Sequence, residues 1–385
     1  MAGLARTIVR DSPRQREIVE ALRKRILAGE FAPGSRVPSV SELAEAHNAS
    51  TRTAQSALVH LQESGFISAR PGAGSFVAET PPHLSHFAMV FRQGPQHDGW
   101  WSQFLVAWKR EAERFAAPDG EGGRRGFRFS FFCLDQQLAG KPAERELQSA
   151  LGSDLLAGLV FPLFPDALRG TAILADRKTP KVACVDEPVE GFTIMKPDGC
   201  LAEKAFTYLA SRGRRRVAIL VPSFYERGTL PVDRLVREAT NCGLTTYRHW
   251  VQGIDISCPE WAANSTESLF RRGGQRPDAL FIRDDNLVPD ATQGLLNAGV
   301  RVPDDVEVVA HCNFPHPTRS VVPAKRIGYD VRHLLHLSVE IIERQRRGEA
   351  VPSLVNMVAH FDDELPYPVD VEQPWCSSAA QLART

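Results

Sequence analysis

The chain has no surplus of charge: 46 lysines and arginines stand against 46 aspartates and glutamates in 385 residues. A nucleic-acid reader in such a chain must gather its cations in one place. Cysteines are few and scattered, at 133, 184, 200, 242, 258, 312 and 376. They are odd in number and none forms a C-x-x-C pair. This argues against zinc or a disulfide framework and for reduced thiols. No apolar run approaches the ~20 residues that span a bilayer, and the first residues hold no apolar stretch of a secretory signal. The expectation is a cytoplasmic protein with no membrane partner. Also missing are G-x-G-x-x-G after a strand, G-x-x-x-x-G-K-[ST], H-E-x-x-H and G-x-S-x-G. No cofactor, metal or catalytic residue is expected. What remains is ordinary for a globular chain, 43% hydrophobic and 24% charged, and long enough for two or three domains.

The informative stretch is residues 15–79. Ile18, Leu22, Arg25 and Ile26 recur at helical spacing, which turns Arg23 and Lys24 outward. Gly29 stops that helix and Pro33-Gly34 makes a turn. Ser39 is placed to cap a second, short helix, with Glu42 as its capping-box partner and Leu43 as its buried anchor. After His47-Asn48-Ala49, Ser50 or Thr51 caps a third helix from Arg52 to about Ser64, with Ala54, Ala57, Leu58 and Leu61 inward. Gly65 ends it. Phe66-Ile67-Ser68 and Ser75-Phe76-Val77 read as strands joined by a glycine-rich tip, Arg70 to Gly74. Helix, turn, helix and β-wing is a layout in which the last helix enters the major groove of double-stranded DNA. The cations gather in this stretch or just ahead of it: Arg6, Arg10, Arg14, Arg16, Arg23, Lys24, Arg25 and Arg36.

This stretch resembles the DNA-binding domain of the GntR family of bacterial regulators. The matching residues are Ile26-Leu27-Ala28-Gly29, Pro33-Gly34, Val37-Pro38-Ser39, Glu42-Leu43-Ala44, Ser50, Thr53, Ala57-Leu58, Leu61, Gly65 and Gly72 to Val77. The resemblance implies a DNA-contacting set of Arg36, Ser39, Ser50, Thr51, Arg52, Thr53, Gln55, Arg70, Gly72 and Gly74. Three positions depart from the family pattern. Ser41 and Thr51 stand where the family often has Arg, and Gln55 replaces a second Arg near the first turn of the recognition helix. Arg forks onto guanine whereas Gln prefers adenine, so the exchanges bear on the operator sequence. The bland alternative for Arg52 and Gln55 is that they are solvated polar residues.

Beyond a Pro81-Pro82 linker at residues 80–85, strand and helix patterns alternate to residue 370, which predicts a parallel α/β fold. The expected strands are 86–91, 127–134, 155–161, 181–185, 216–221, 246–251, 279–282, 306–310 and 354–358. Helices are expected between them, including 165–175 and 331–346. Pro277 to Asp285, Gly299 to Ala310 and Gly213 to Ala218 are similar to the strand-end Asp motif, the V-P-D-D-V strand and the lobe-opening loop of the LacI and periplasmic-binding-protein folds. The resemblance implies two Rossmann-like lobes, crossovers near 187–197, 314–319 and 348–353, and a small molecule held between the lobes. It points to Asp285 and to Arg234 as effector contacts. Asp186 and Asn313 also end strands, and Trp261 and Trp250 are candidate platforms for a sugar ring. The bland readings are a helix cap for Asp285, a surface salt bridge for Arg234 and core packing for the tryptophans. Asp284 replaces the family's Asn or Gly, and Leu287-Val288-Pro289 stand where it has small residues.

The organisation expected is a winged helix-turn-helix at 12–79, a linker at 80–85, a two-lobed effector and dimerisation domain at 86–370 and a tail at 371–385. Its expected work is repression of carbohydrate-utilisation genes by a homodimer on palindromic DNA, relieved by a sugar-like effector. One alternative is the same regulator with a sensor that only dimerises. Another is an enzyme, the GntR branch fused to an aminotransferase, which needs a larger C-terminal part and a lysine for pyridoxal phosphate.

Overall fold

The computed structural model describes residues 12–91, 102–117, 126–134, 142–163, 168, 170–186, 188–223, 232–271, 275–367 and 369. Arg6, Arg10, Pro165 and the tail at 371–385 lie outside them. Two compact units divide the chain. The first is Met1–Gln93, Ala112–Val182 and Ile341–Val351, and the second is Gly94–Glu111, Ala183–Glu340 and Pro352–Thr385.

The first unit begins with three helices, α1 (Pro13–Leu27), α2 (Val40–Ala46) and α3 (Thr51–Glu63), and a hairpin of β1 (Ile67–Arg70) and β2 (Gly74–Val77). Each helix starts on a serine whose hydroxyl accepts a backbone N–H: Ser12 from Gln15, Ser39 from Glu42 and Ser50 from Thr53. The hairpin is antiparallel, with Ile67 opposite Val77 and Arg70 opposite Gly74. One apolar cluster joins these elements: Ile18, Leu22 and Ile26 of α1, Leu43 of α2, Ala54, Ala57 and Leu61 of α3, and Ile67 and Val77 of the wing. The inward face of α1 is not the one that sequence spacing suggests. Arg23 is buried and Arg25 exposed. The Arg23 guanidinium lies 5.5 Å from the centre of the Phe66 ring, a cation–π contact that repays its burial, and its Nη1 donates to Glu20 at 3.1 Å.

The chain then runs through α4 (Pro82–Ser85) into alternating strands and helices: β3 (His86–Phe91), α5 (Gln103–Ala116), β4 (Arg128–Cys133), α6 (Pro142–Gly152), β5 (Gly158–Phe161), α7 (Ala172–Ala175), β6 (Lys181–Cys184), β7 (Thr193–Pro197) and α8 (Leu201–Ser211). After α8 come β8 (Val217–Pro222), α9 (Val232–Asn241), β9 (Val251–Ile254), α10 (Trp261–Phe270), β10 (Ala279–Ile282), α11 (Val288–Asn297), β11 (Glu307–Phe314), β12 (Lys325–Asp330), α12 (Val331–Arg346), β13 (Leu354–Met357) and β14 (His360–Phe361). The strands form two six-stranded sheets, in the orders β13-β7-β6-β5-β3-β4 and β14-β12-β11-β10-β8-β9.

The second sheet shows why its strands read as unbroken apolar runs. β8 and β10 are buried along their whole length because parallel strands are covered on both faces. Val217, Ile219 and Val221 join one core with Ala279, Phe281 and Val309, while Ala218 and Leu220 join another with Leu280, Ile282 and Val308. Only β14, paired with β12, runs antiparallel in this sheet.

Several expectations need correction. Residues 193–197, taken as part of a crossover, form β7, and β12 and β14 were not expected. The strand expected at 246–251 begins only at Val251, after a 3-10 turn at Arg248–Trp250. Of the helix expected at 165–175, Ala172–Ala175 is helical and 165–167 lies outside the described residues. Among the described residues no helix is long and apolar enough to cross a membrane.

Candidate nucleic-acid interface and ligand site

On α3 the inward residues Ala54, Ala57, Leu58 and Leu61 fix the rotation of the helix, so Thr51, Arg52, Gln55 and Val59 are left exposed. Arg52, Gln55 and Val59 recur at i, i+3 and i+7 and share one outward face. Sequence reasoning missed Val59, an exposed aliphatic side chain on that face whose only signal was its phase with Arg52. Ser50 caps the helix, its Oγ 3.1 Å from the Thr53 N–H and 2.9 Å from the Thr53 hydroxyl. Ser50 and Thr53 are therefore engaged with each other.

Ser39 is engaged as well. Its Oγ accepts from the Glu42 N–H at 3.3 Å, and Glu42 Oε2 accepts from the Ser39 N–H at 2.6 Å. That backbone N–H, followed by the Ser39 hydroxyl, holds the Glu42 carboxyl below the usual range. Two cations meet at the wing. Arg36 bridges by backbone to Phe76 and lies against Gly74, where an added Cβ would be 3.4 Å from the Arg36 Nε. Arg70 lies 4.3 Å from the centre of the Phe76 ring and its Nη2 donates to Glu79 at 3.4 Å. Gly72 and Gly74, both with positive φ, form the exposed tip between the strands. The structure thus presents one exposed helix face, with a basic wing in the same domain.

The second unit gathers its polar residues where β10, β11 and β12 end. Asp285 follows β10 and is 2% exposed, and Asn313, near the end of β11, is 1% exposed. Asn313 Nδ2 donates to Asp285 Oδ2 at 2.7 Å. His311 stands on the same face of β11, its Nδ1 3.6 Å from Asp285 Oδ1, too long for a hydrogen bond. Tyr329 of β12 is opposite Asn313 and its ring lies 6.3 Å from that of His311. Asn313 Oδ1 and His311 Nδ1 are buried with no hydrogen-bond partner among the described residues.

Asp284 caps the turn that holds Asp285, its Oδ1 accepting from Asn286 N at 2.9 Å and Nδ2 at 2.6 Å. Burial, then the adjacent Asp285 carboxylate, pushes the Asp284 carboxyl up. Burial also pushes the Tyr329 phenol up, with the Asp198 and Asp186 carboxylates acting in the same direction. Asp186 is exposed and bears on Tyr329 through its charge. Arg234 and Trp261 stand on other elements. Arg234, on α9, donates its Nε to Glu238 at 2.6 Å, and Trp261 begins α10 with 59% of its surface exposed. Trp250 is core, buried beside Tyr247 and His249, which corrects its reading as a platform. His311 and Tyr329 escaped sequence reasoning. The polar end of an otherwise apolar β11 could have shown the first; β12, with no apolar run, gave no signal for the second.

Residues 14–77 match the family model described as bacterial regulatory proteins, gntR family, and residues 206–360 match a periplasmic binding protein-like domain. The chain carries a gntR-type reader ahead of a periplasmic-binding-protein-like domain. The HTH-type transcriptional repressor PurR of Vibrio cholerae serotype O1 is 25% identical over 157 residues, 39% of this chain and 45% of the relative. The chain thus spans about half the length of the curated relatives it matches. A regulatory protein of the LacI family from Chloroflexus aggregans superposes with a TM-score of 0.55 at 16% identity, over 72% of this chain and 96% of that one. The Escherichia coli repressor ascG gives 0.53 at 13%, over 74% and 99%, and a glucose-bound LacI family regulator from Lactobacillus casei gives 0.51 at 18%, over 72% and 98%. At these identities the likeness is one of fold, and the fold is the two-sheet α/β architecture of LacI-type regulators.

Proposed function

We propose that this protein is a DNA-binding transcription regulator of the cytoplasm, a repressor of carbohydrate-utilisation genes that a sugar-like effector controls. The observation that carries the reading is the pairing, on one chain, of a capped, winged reader matched over residues 14–77 with a binding-protein-like domain matched over residues 206–360. Arg52, Gln55 and Thr51 would face the groove, with Arg36, Arg70, Gly72 and Gly74 at the backbone. Ser39 and Ser50 act as caps, Thr53 is the partner that Ser50 holds, and the N–H-rich start of α3 would be turned toward phosphate. Two copies on a palindrome would match a two-fold protein to a two-fold operator.

The effector would sit at the carboxyl ends of the parallel strands, where ligands of open α/β sheets bind. Asp285, Asn313, His311 and Tyr329 supply a carboxylate, an amide, an imidazole and a phenol there, a mixed donor and acceptor set suited to hydroxyl groups. Asp186 contributes charge at the rim, and Trp261 and Arg234 are outer candidates. A buried polar pair with unsatisfied atoms favours a ligand over a sensor that serves dimerisation alone.

The test has two arms. Purified protein is incubated with fragmented DNA of its source, and retained fragments are sequenced. A shared palindromic site is expected, bound with strong salt dependence; retention no better than random duplex sinks the reading. Thermal shift against monosaccharides and oligosaccharides then tests the effector, since a ligand at ~100 times its dissociation constant stabilises by ~2.7 kcal/mol. A panel without a shift would remove the sugar from the reading and leave the DNA arm standing.

A further inference from the structure

The segment that joins the reader to β3 is built as a joint. Pro81, Pro82, His83 and Ser85 are all buried. The Ser85 hydroxyl donates back to the carbonyls of Thr80 and Pro81, each at 3.0 Å, which closes the segment into the short helix α4. His83 is 6% exposed and stacks on Phe66, with ring centres 5.7 Å apart and planes 12° from parallel. Phe66 is itself fully buried in the reader, between α3 and β1, and its carbonyl accepts the Ala78 N–H at 2.9 Å.

Two glycines serve the joint, Gly65 through its backbone conformation and Gly126 through the space it leaves. Gly65 has φ +81°, a conformation that L side chains rarely adopt, and a Cβ there would stand 3.5 Å from Pro82 and 3.8 Å from the Arg128 guanidinium. Gly126, ahead of β4, has φ +84°, and a Cβ there would overlap the Thr80 side chain. A third segment joins from the loop before β5, where Leu155 packs against the apolar cluster of the reader. Arg346 fastens that loop by donating to the carbonyls of Leu156 at 2.6 Å and Ala157 at 2.7 Å. All of these residues belong to the first unit.

We propose that the winged reader is carried as one body with the β3-β4-β5 region, locked by a joint in which Pro82, His83 and Leu155 position Phe66 and the end of α3. A tether of this length made of exposed, polar residues would let the reader sample many orientations. Here two prolines restrict the chain before folding, and a stacked aromatic pair and a leucine occupy the gap after it. If the protein is the regulator proposed for it, turning of the β3-β4-β5 region is delivered whole to the recognition helix. The joint itself does not depend on that reading.

The test is amide 15N relaxation on the deuterated full chain. Reader amides in 12–77 are expected to share one rotational correlation time with amides of 86–91 and 142–161. In the Pro82→Gly, His83→Gly double variant, which alters no residue of the reader's own core, the correlation time of the reader is expected to fall roughly two-fold or more while the rest stays put. Leu155→Lys is expected to act in the same direction from the other side of the joint. A wild-type reader that already tumbles faster than residues 142–161 overturns the proposal. So does a double variant and a Leu155→Lys variant that both keep the wild-type value. The measurement uses no DNA, so its failure is distinct from failure of the regulatory reading.

Discussion

Acid should loosen this protein at His83. Burial, and then the positive charge of Arg346, lowers its imidazole from the ordinary 6.5 to about 4. In the unfolded chain the ring regains its ordinary affinity and binds a proton first. The stability tied to neutral His83 is therefore fully present above pH 6.5, falls as pH drops through the interval from 6.5 to about 4, and levels off below it. The whole shift corresponds to roughly 3 kcal/mol, of which about 2 kcal/mol is already lost near pH 5. The perturbation is His83→Phe, which keeps an aromatic ring against Phe66, cannot titrate and removes a buried Nδ1 that has no hydrogen-bond partner. Urea unfolding followed by far-ultraviolet circular dichroism at about pH 7.5 and about pH 5 compares the two proteins. The wild type is expected to lose about 2 kcal/mol more than the variant over that interval. His86, lowered to about 4 by burial and then by Arg128, remains in the variant and accounts for a residual slope of the same sign. Equal slopes in the two proteins would refute the claim that His83 is held neutral in the joint.

Other perturbations separate the roles of particular residues. Leu61→Ala removes a fully buried side chain from the reader core and should cost roughly 2–5 kcal/mol, read as reader unfolding by hydrogen exchange while residues 279–314 stay protected. Arg52→Ala should weaken specific DNA by roughly 1–3 kcal/mol and leave thermal stability unchanged, since Arg52 is exposed on α3; equal loss on random duplex would mark a phosphate contact instead of a base contact. Asp285→Asn removes the like charge beside Asp284 and keeps the side-chain shape. It should abolish any effector-induced thermal shift while DNA binding without effector stays within about two-fold; a variant that keeps the full shift would remove Asp285 from the site.

How far the sequence could be read depended on whether local signals were left to decide. In the reader they were. Ser39 and Glu42 make the capping box their spacing announces, Ser50 caps α3, and Ala54, Ala57, Leu58 and Leu61 face inward as periodicity requires. Arg23 is the exception, because a cation–π contact with Phe66, forty-three positions on, outweighs its preference for water. In the α/β part, β10 and α12 have the limits that pattern predicts, Ala279–Ile282 and Val331–Arg346. β12 escaped because Lys-Arg-Ile-Gly-Tyr-Asp has neither an apolar run nor clean alternation; Arg326 is buried there and donates to the Thr318 carbonyl at 2.7 Å. Without β12 the partner of Asn313, Tyr329, could not be placed. Asp285 and Asn313 were legible as strand-end residues, but their hydrogen bond joins positions 28 apart and is a product of the sheet.

Buried polar groups in the second unit differ in whether their hydrogen bonds are complete, and that difference separates framework from site. Glu111 of α5 is almost fully buried, yet it accepts from His316 Nε2 at 2.8 Å and Arg332 Nε at 3.0 Å. Burial alone would push its carboxyl up; the two donors outweigh it and hold the group below the usual range. A carboxylate with a cationic or imidazole donor on each oxygen is held in place by the fold, and breaking such a set by removing one member costs roughly 3–5 kcal/mol. It reads as framework. Asp285 and Asn313 satisfy one another only once, and Asn313 Oδ1 and His311 Nδ1 have no partner among the described residues. An unsatisfied buried group costs about 1–3 kcal/mol, and apolar side chains of similar size at these positions would avoid that cost. The penalty is localised at the carboxyl ends of β10 and β11, next to a second carboxyl group, Asp284, that burial and the Asp285 charge push up. A ligand with hydroxyl groups donates to one such atom and accepts from the other. Under the function proposed above, the incomplete network is the place for the effector and the complete one its support.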